Sequence, residues 1–311
     1  MTASVFIDGA AGTTGLEIAE RLAGRSEFTM IALDDERRKD DAARAEAIND
    51  ADFIILCLPD DAAREAVAMI RNDRTRVIDA STAHRTAIGW TYGFPEAVGR
   101  ETVANARRVS NPGCYPTGFI ALLRPLVAAG LLPASWPYVC HATSGYSGGG
   151  KALIARFEDD TDIAYRAYGL GMGHKHVPEM QVHTGLALAP LFAPAVVAAH
   201  RGMIVEAPLH LEAMRAGGHQ AAAPDVLRAA LVECYAGSPI VRVEEDKPDE
   251  LLMRASMEPN DALVLRVFGA KDGSQARLIA TLDNLGKGAS GAAVQNLNLM
   301  AGLDETAGLR L

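Results

Sequence analysis

A cysteine set between a turn and a helix can serve as a nucleophile, and one of the four cysteines of this chain has that setting. Ser110-Asn111-Pro112-Gly113-Cys114-Tyr115-Pro116-Thr117-Gly118 runs into an apolar helical pattern through Phe119, Ile120, Leu122 and Leu123. Pro116 suits a first helical position. Cys114 then lies at or just before the helix cap, where the dipole favours thiolate over thiol. The other cysteines read as buried structural thiols: Cys57 inside an apolar strand, Cys140 in a strand over 138–143, Cys234 in a helical pattern over 226–235. His141 adjoins Cys140, but strand neighbours point to opposite faces, so the two do not act together.

A thiol needs a base. Gly173-His174-Lys175-His176-Val177-Pro178-Glu179 precedes a helix begun by Pro178, so His176 sits just outside that helix and is free to project into a cleft. Glu179 in the first turn suits the dipole. His176, Glu179 and His183 have a spacing that could suit zinc, but Pro178 puts His176 outside the helix that would align them, and no metal site is expected.

A glycine-rich turn opens the chain. The strand at 5–8 runs into Gly9-Ala10-Ala11-Gly12-Thr13-Thr14-Gly15 and then a helix with Leu16, Ala19 and Leu22 at helical positions. A GxxGxxG turn after a first strand lets a pyrophosphate approach a helix N-terminus closely. After the second strand, Asp34 and Asp35 suit a free ribose 2′-hydroxyl, whereas Arg37 and Arg38 suit a 2′-phosphate, so local sequence admits NAD or NADP. A second glycine-rich stretch, Gly145-Tyr146-Ser147-Gly148-Gly149-Gly150-Lys151, imitates a phosphate loop, yet Ala152 stands where the magnesium-binding hydroxyl belongs. A loop shaping a substrate pocket is the better reading of it.

The elements that must position these groups are legible as alternation. Short β-branched runs at 5–8, 29–33, 53–58, 77–79 and 108–110 alternate with helical patterns, one of them capped by Asp60 or Asp61 and running to Ile70. This predicts an α/β chain with a Rossmann-type parallel-sheet domain. Beyond Gly113 the pattern changes, and strands at 263–269 and 276–283 flank Lys271-Asp272-Gly273-Ser274 as a hairpin, predicting an α+β catalytic domain. A last helix over about 289–300 can return to the first domain. The expected domains are 1–113 with 286–311, for the dinucleotide, and 114–285, for substrate and oligomerisation.

Composition narrows the function classes. The chain of 311 residues is 49% hydrophobic and 22% charged, an ordinary globular balance. Its net charge of −9, without a basic cluster, argues against nucleic acid as a partner. The longest apolar stretch, 186–199, contains Pro190 and Pro194 and is shorter than the ~20 residues of a spanning helix, so no membrane partner is expected. With no leader pattern and no CxxC, a reduced, cytoplasmic setting is expected.

Taken together, residues 9–15, Asp79-Ala80-Ser81-Thr82-Ala83-His84-Arg85, Tyr92-Gly93-Phe94-Pro95-Glu96, residues 111–118, His174 to Glu179 and residues 286–296, ending in Asn296, resemble the N-acetyl-gamma-glutamyl-phosphate reductase family, in its short form. That family is related to aspartate-semialdehyde dehydrogenase. The resemblance implies Cys114 as nucleophile, His176 as acid/base and NADPH/NADP as cofactor. It also implies a dinucleotide domain completed by the C-terminal helix and a homo-oligomer, dimer or tetramer. Cofactor binding is expected at Gly9, Gly12, Thr13, Thr14, Gly15, Arg37, Arg38 and Asn296. Arg85, Ser147 and Lys151 are the candidates for holding a small acyl-phosphate substrate, because an acidic ligand needs fixed cations in a net acidic protein. Three rivals remain: the same chemistry on an aspartyl or amino-adipyl phosphate, a non-catalytic dinucleotide sensor, and a phosphotransferase built on 145–151.

Overall fold

The computed structural model describes residues 2–34 and 36–311, and it divides into two compact units, 1–113 with 289–309 and 114–288 with 310–311. The boundary near the C-terminus therefore lies at Ala289 rather than Gly286, and Arg310 and Leu311 belong with the second unit, where Arg310 pairs its backbone with Asp261.

In the first unit β1 (Ala3–Asp8), α1 (Thr13–Leu22), β2 (Phe28–Ile31), α2 (Asp41–Asp50), β3 (Phe53–Leu56), α3 (Asp60–Ala68) and β4 (Arg76–Asp79) follow in order. Then come β5 (Thr91–Tyr92), α4 (Pro95–Val98), α5 (Arg100–Ala104) and β6 (Arg108–Ser110). All six strands are parallel, ordered β2-β1-β3-β4-β6-β5. Alternation along each strand feeds two apolar layers. Val5, Ile7, Ile55 and Ile78 pack with Ile18 and Leu22 of α1, while Phe6, Ile54, Leu56 and Val77 pack with Ile48, Ala63 and Ala66 of α2 and α3. The first layer is closed by Ala293, Val294, Leu297 and Met300 of the last helix, Gly291–Met300. Arg76 secures that helix by donating to the carbonyl of Met300, and to those of Ala104 and Ala106, at 2.6 Å each.

Several boundaries differ from expectation for local reasons. β2 stops at Ile31, and β3 at Leu56, so Cys57 follows its strand rather than lying within it, half-buried, with its N–H on Asp8 O at 2.8 Å. Pro59, not an aspartate, occupies the N-cap of α3, which ends at Ala68; Asp60 instead accepts from Thr82 N at 2.8 Å. β5 was not expected, because two residues carry no periodicity.

The second unit begins with α6 (Cys114–Ala128), continues through β7 (Val139–Gly145), α7 (Gly150–Asp159), β8 (Tyr165–Ala167), α8 (Val177–Thr184), β9 (Leu191–Val197) and β10 (Met203–Leu209), and then α9 (Leu211–Ala216), α10 (Pro224–Cys234), β11 (Val241–Val243), β12 (Leu263–Gly269) and β13 (Ala276–Leu282). α11 is the Gly291–Met300 helix of the first unit, preceded by a π-helical turn at Gly286–Ser290 where a single helix from Ala289 was expected. The sheet is mixed, in the order β11-β12-β13-β10-β7-β9-β8. The chain expected as α+β thus has a seven-stranded sheet with α6 laid upon it. α6 approaches closely because Gly118 lacks a side chain: a Cβ there would meet Val205 Cβ at 2.9 Å and Ala280 Cβ at 3.2 Å. Pro125 inside α6 has no N–H for the carbonyl of Ala121, and Tyr235 Oη donates to that carbonyl instead at 2.8 Å. Cys140 is buried, but Cys234, read as buried, is exposed at the end of α10. Among the described residues no helix is long and apolar enough to cross a membrane.

Candidate active site

In the first unit the glycine turn sits where the strand order reverses, at the C-terminal ends of β1 and β3, the usual ligand position of an open α/β sheet. Two of its glycines are demanded by the protein itself. Gly9 has φ +88°, and a Cβ on it would lie 2.3 Å from Cys57 O; one on Gly15 would lie 2.5 Å from Gly9 O. Gly9→Ala is therefore expected to destabilise the first unit by at least about 2 kcal/mol. Urea unfolding checks this, and a loss under about 0.5 kcal/mol would show that the turn yields. Gly12 is different. A Cβ there meets nothing closer than Gly9 O at 3.4 Å, yet Gly12 is the N-cap of α1, with Thr13 and Thr14 in its first turn. The empty side there is a cradle that a Cβ would fill, and it fits a pyrophosphate against the helix N-terminus.

Arg37 and Arg38 lie exposed in a 3₁₀ turn, Arg37–Lys39, that Asp34 builds by accepting from Arg37 N at 2.8 Å. Asp34 thus shapes the turn rather than merely facing solvent, and Asp35 lies outside the described residues. Arg37 pairs with Glu46 at 3.0 Å, but both are more than half exposed, and such a pair holds its arginine by about 1 kcal/mol at most. A buried pair that the sequence did not advertise, Arg44 on Asp8 at 2.9 Å, anchors α2 beside the glycine turn. The Asp8 contacts raise the Arg44 pKa even though burial opposes them.

Two residues expected at ligands are committed to the backbone. Arg85, buried, donates from Nε to Asn111 O at 3.0 Å and from an Nη to Ala80 O at 3.1 Å. Asn296, fully buried, donates to Gly93 O at 3.0 Å and Asn111 Oδ1 at 3.1 Å. With Asn111 N on Asp79 O at 2.7 Å and its amide on Ala289 O at 2.9 Å, these bonds fix the backbone three residues ahead of Cys114. These bonds hold that segment, while Asn296 Oδ1 is buried with no hydrogen-bond partner. Asp79 itself, fully buried, accepts from Ser81 and lies 2.6 Å from His84 Nδ1, while His84 stacks on Trp90 at 4.0 Å.

In the second unit Cys114 is the first residue of α6, so Pro116 stands third rather than first; a missing N–H is harmless anywhere in that turn. The thiol is half-buried and in no disulfide. Gly288 backs onto it, since a Cβ at Gly288 would lie 2.9 Å from Cys114 Cβ. The turn carrying Gly288 is drawn in by Asp283, whose carbonyl accepts from Gly286 N and Gly288 N and whose carboxylate holds Arg201 at 2.8 Å.

Aromatic rings converge on this cysteine. Tyr115, buried, donates to Ala195 O at 3.0 Å and has ring centroids of His176 at 5.9 Å, His174 at 6.4 Å and Phe192 at 5.1 Å around it. His176 is the N-cap of α8 and 8% exposed, so it is walled by this cluster rather than projecting freely. Its N–H donates to His174 Nδ1 at 3.1 Å, which keeps that nitrogen bare and the His174 proton on Nε2. Burial, with Lys175 adding to it, pulls His174 down to about 4, so His174 is neutral at physiological pH. Tyr168 packs edge-on to His174 at 5.6 Å. Burial, with Cys114 as a thiolate adding to it, raises Tyr115 well above its ordinary range and Tyr168 to about 12. Both hydroxyls stay protonated, and that of Tyr115 spends its proton on Ala195 O. Glu179 is buried in the first turn of α8, and among the described residues no three metal-ligating side chains cluster.

The imitation phosphate loop is a 3₁₀ turn, Tyr146–Gly149, leading to α7. Ser147 is buried and accepts from Asn284 at 2.9 Å, whereas Lys151 is exposed in the first turn of α7. Ser147 therefore ties two loops together. Tyr115, His174 and Gly288 lie within the motifs at 111–118, 174–179 and 286–296 but carry no assigned role there, while Phe192 and Tyr168 have no local signal.

A parallel dinucleotide-type sheet followed by a mixed sheet with a cysteine at its helix start defines the semialdehyde-dehydrogenase class. A family model described as "Semialdehyde dehydrogenase, NAD binding domain" matches residues 4–106, and one described as "Semialdehyde dehydrogenase, dimerisation domain" matches 114–284. The fold is that of aspartate semialdehyde dehydrogenase II from Vibrio cholerae, with a TM-score of 0.70 over 97% of this chain and 99% of that one at 16% identity. The Francisella tularensis enzyme gives 0.67 at 13% identity over 95% and 99%. Among characterised sequences, N-acetyl-gamma-glutamyl-phosphate reductase of Rhizobium meliloti is 49% identical over 96% of this chain and 99% of its own length. That of Burkholderia ambifaria is 51% identical over 96% of each. The chain belongs to the N-acetyl-gamma-glutamyl-phosphate reductase family.

Proposed function

We propose that the chain reduces N-acetyl-gamma-glutamyl phosphate to N-acetyl-glutamate 5-semialdehyde and phosphate with NADPH, as a step of arginine biosynthesis. Cys114 at the first position of α6, inside the Tyr115 and His176 cluster, carries this proposal, in a chain half identical to reductases of that name. His176 takes the thiol proton. The Cys114 thiolate then attacks the acyl carbon, forming a C–S bond as the C–O bond to phosphate breaks and its electron pair leaves with phosphate. NADPH, when bound at the glycine turn, supplies hydride. Collapse of the reduced carbon breaks the C–S bond, releases the aldehyde and returns the sulfur as thiolate, with His176 removing the hydroxyl proton if the hemithioacetal carries one. The α6 dipole and the Tyr168 hydroxyl favour negative charge at sulfur and at the acyl oxygen.

The test is phosphate-dependent NADP reduction by purified protein with N-acetyl-glutamate semialdehyde, beside aspartate and amino-adipate semialdehydes. A kcat/KM preference of about a hundredfold or more for the N-acetylated aldehyde is expected. Preference for another aldehyde would assign the same chemistry to another acyl phosphate, and dinucleotide binding without turnover of any would favour a sensor. The family model over residues 114–284 supports a homo-oligomer, dimer or tetramer.

Arg37 and Arg38 read the 2′-phosphate in this scheme, with the weak Glu46 contact released. Replacing both by Ala is expected to raise KM for NADPH about tenfold or more and to leave that for NADH within about twofold. Equal effects on both cofactors would show that neither arginine meets the 2′-phosphate.

A further inference from the structure

The substrate proposed above carries a free carboxylate at the end opposite its phosphate, and several cations of the second unit are exposed or already bonded. Lys151 is exposed, Arg201 is committed to Asp283, and Arg124 donates to His183 O at 2.7 Å. One arginine has a different setting. Arg166 lies on β8, half-buried, in register with Val196 of β9. Its guanidinium carbon is 4.6 Å from the ring centroid of Tyr168, two residues on and on the same side of the chain. The ring leads from Arg166 toward His174, which it meets edge-on at 5.6 Å and which lies 4.8 Å from the His176 ring. Among the described residues no carboxylate or carbonyl takes a hydrogen bond from the Arg166 guanidinium, so its fork of donors faces no protein acceptor.

We propose that Arg166, oriented by stacking on Tyr168, binds the free carboxylate of the acyl-phosphate substrate and selects substrates that have one. Phosphate leaves from the carbon that the sulfur attacks and so departs beside Cys114. Arg166 reaches the His174 and His176 cluster only through the Tyr168 ring, and so meets the far end of the substrate instead. The planar fork matches a carboxylate bidentately, and the Tyr168 face removes water from one side of it. This rests on the reductase reading.

The experiment uses the full chain and the reverse reaction with two aldehydes, N-acetyl-glutamate semialdehyde and 4-acetamidobutanal, which keeps the acetamide and aldehyde but lacks the carboxylate. Arg166→Met is expected to raise KM for the carboxylated aldehyde about 30- to 100-fold, with kcat within about threefold. KM for 4-acetamidobutanal and for NADP should not change, and Arg166→Lys should recover part of the loss, which also reports that the fold is intact. An equal rise for both aldehydes, or no rise for the carboxylated one, overturns the assignment. Wild-type protein inactive on both contradicts the reductase reading itself, and this proposal with it.

Discussion

Cys114→Ser is expected to lower kcat by about a thousandfold or more while the dissociation constant for NADPH stays within about twofold of wild type. A serine hydroxyl at the start of α6 remains protonated, because the helix dipole cannot offset the far higher cost of forming an alkoxide. The oxygen is also smaller than sulfur, so nothing in the packing against Gly288 is disturbed. Folding and cofactor binding are thereby separated from chemistry. Fluorescence titration with NADPH and steady-state turnover measure the two sides, and near-normal turnover would remove Cys114 from the mechanism.

His176→Asn is expected to cost between a hundredfold and ten-thousandfold in kcat, roughly the range for losing a positioned acid and base. Asparagine is a favourable N-cap, so α8 starts normally and its N–H can still donate to His174. The discriminating readout is alkylation of Cys114 by iodoacetamide across pH, which should need higher pH in the variant because the thiol has lost its base. A merely structural His176 would lower turnover without moving that profile. Unchanged alkylation and turnover would exclude it as the base.

What could be read from the chain depended on whether a residue's neighbours in sequence were also its neighbours in space. β1, β3, β4 and β6 stand out because each is buried on both faces and leaves a β-branched run. Gly9, Gly12 and Gly15 were legible because the turn that needs them is local. Cys114 and His176 carried signals of helix-start chemistry for the same reason. At Arg85, Ser147 and Asn296 residue type announces capacity to bond, not the carbonyl or amide that each meets after folding. Tyr168 and Arg166 are two positions apart on a three-residue edge strand and its exit, too short to show a period. Their approach to Tyr115 depends on β8 pairing with β9, a contact made only in the folded sheet.

The most direct measurement is intact-protein mass spectrometry after mixing the chain with N-acetyl-gamma-glutamyl phosphate in the absence of dinucleotide. One N-acetylglutamyl group per chain, located on the Cys114 peptide, absent from Cys114→Ser and released as the aldehyde when NADPH is added, is the predicted result. Acylation at another residue, or turnover by the wild type with no acyl group that NADPH can discharge, would contradict covalent catalysis at Cys114.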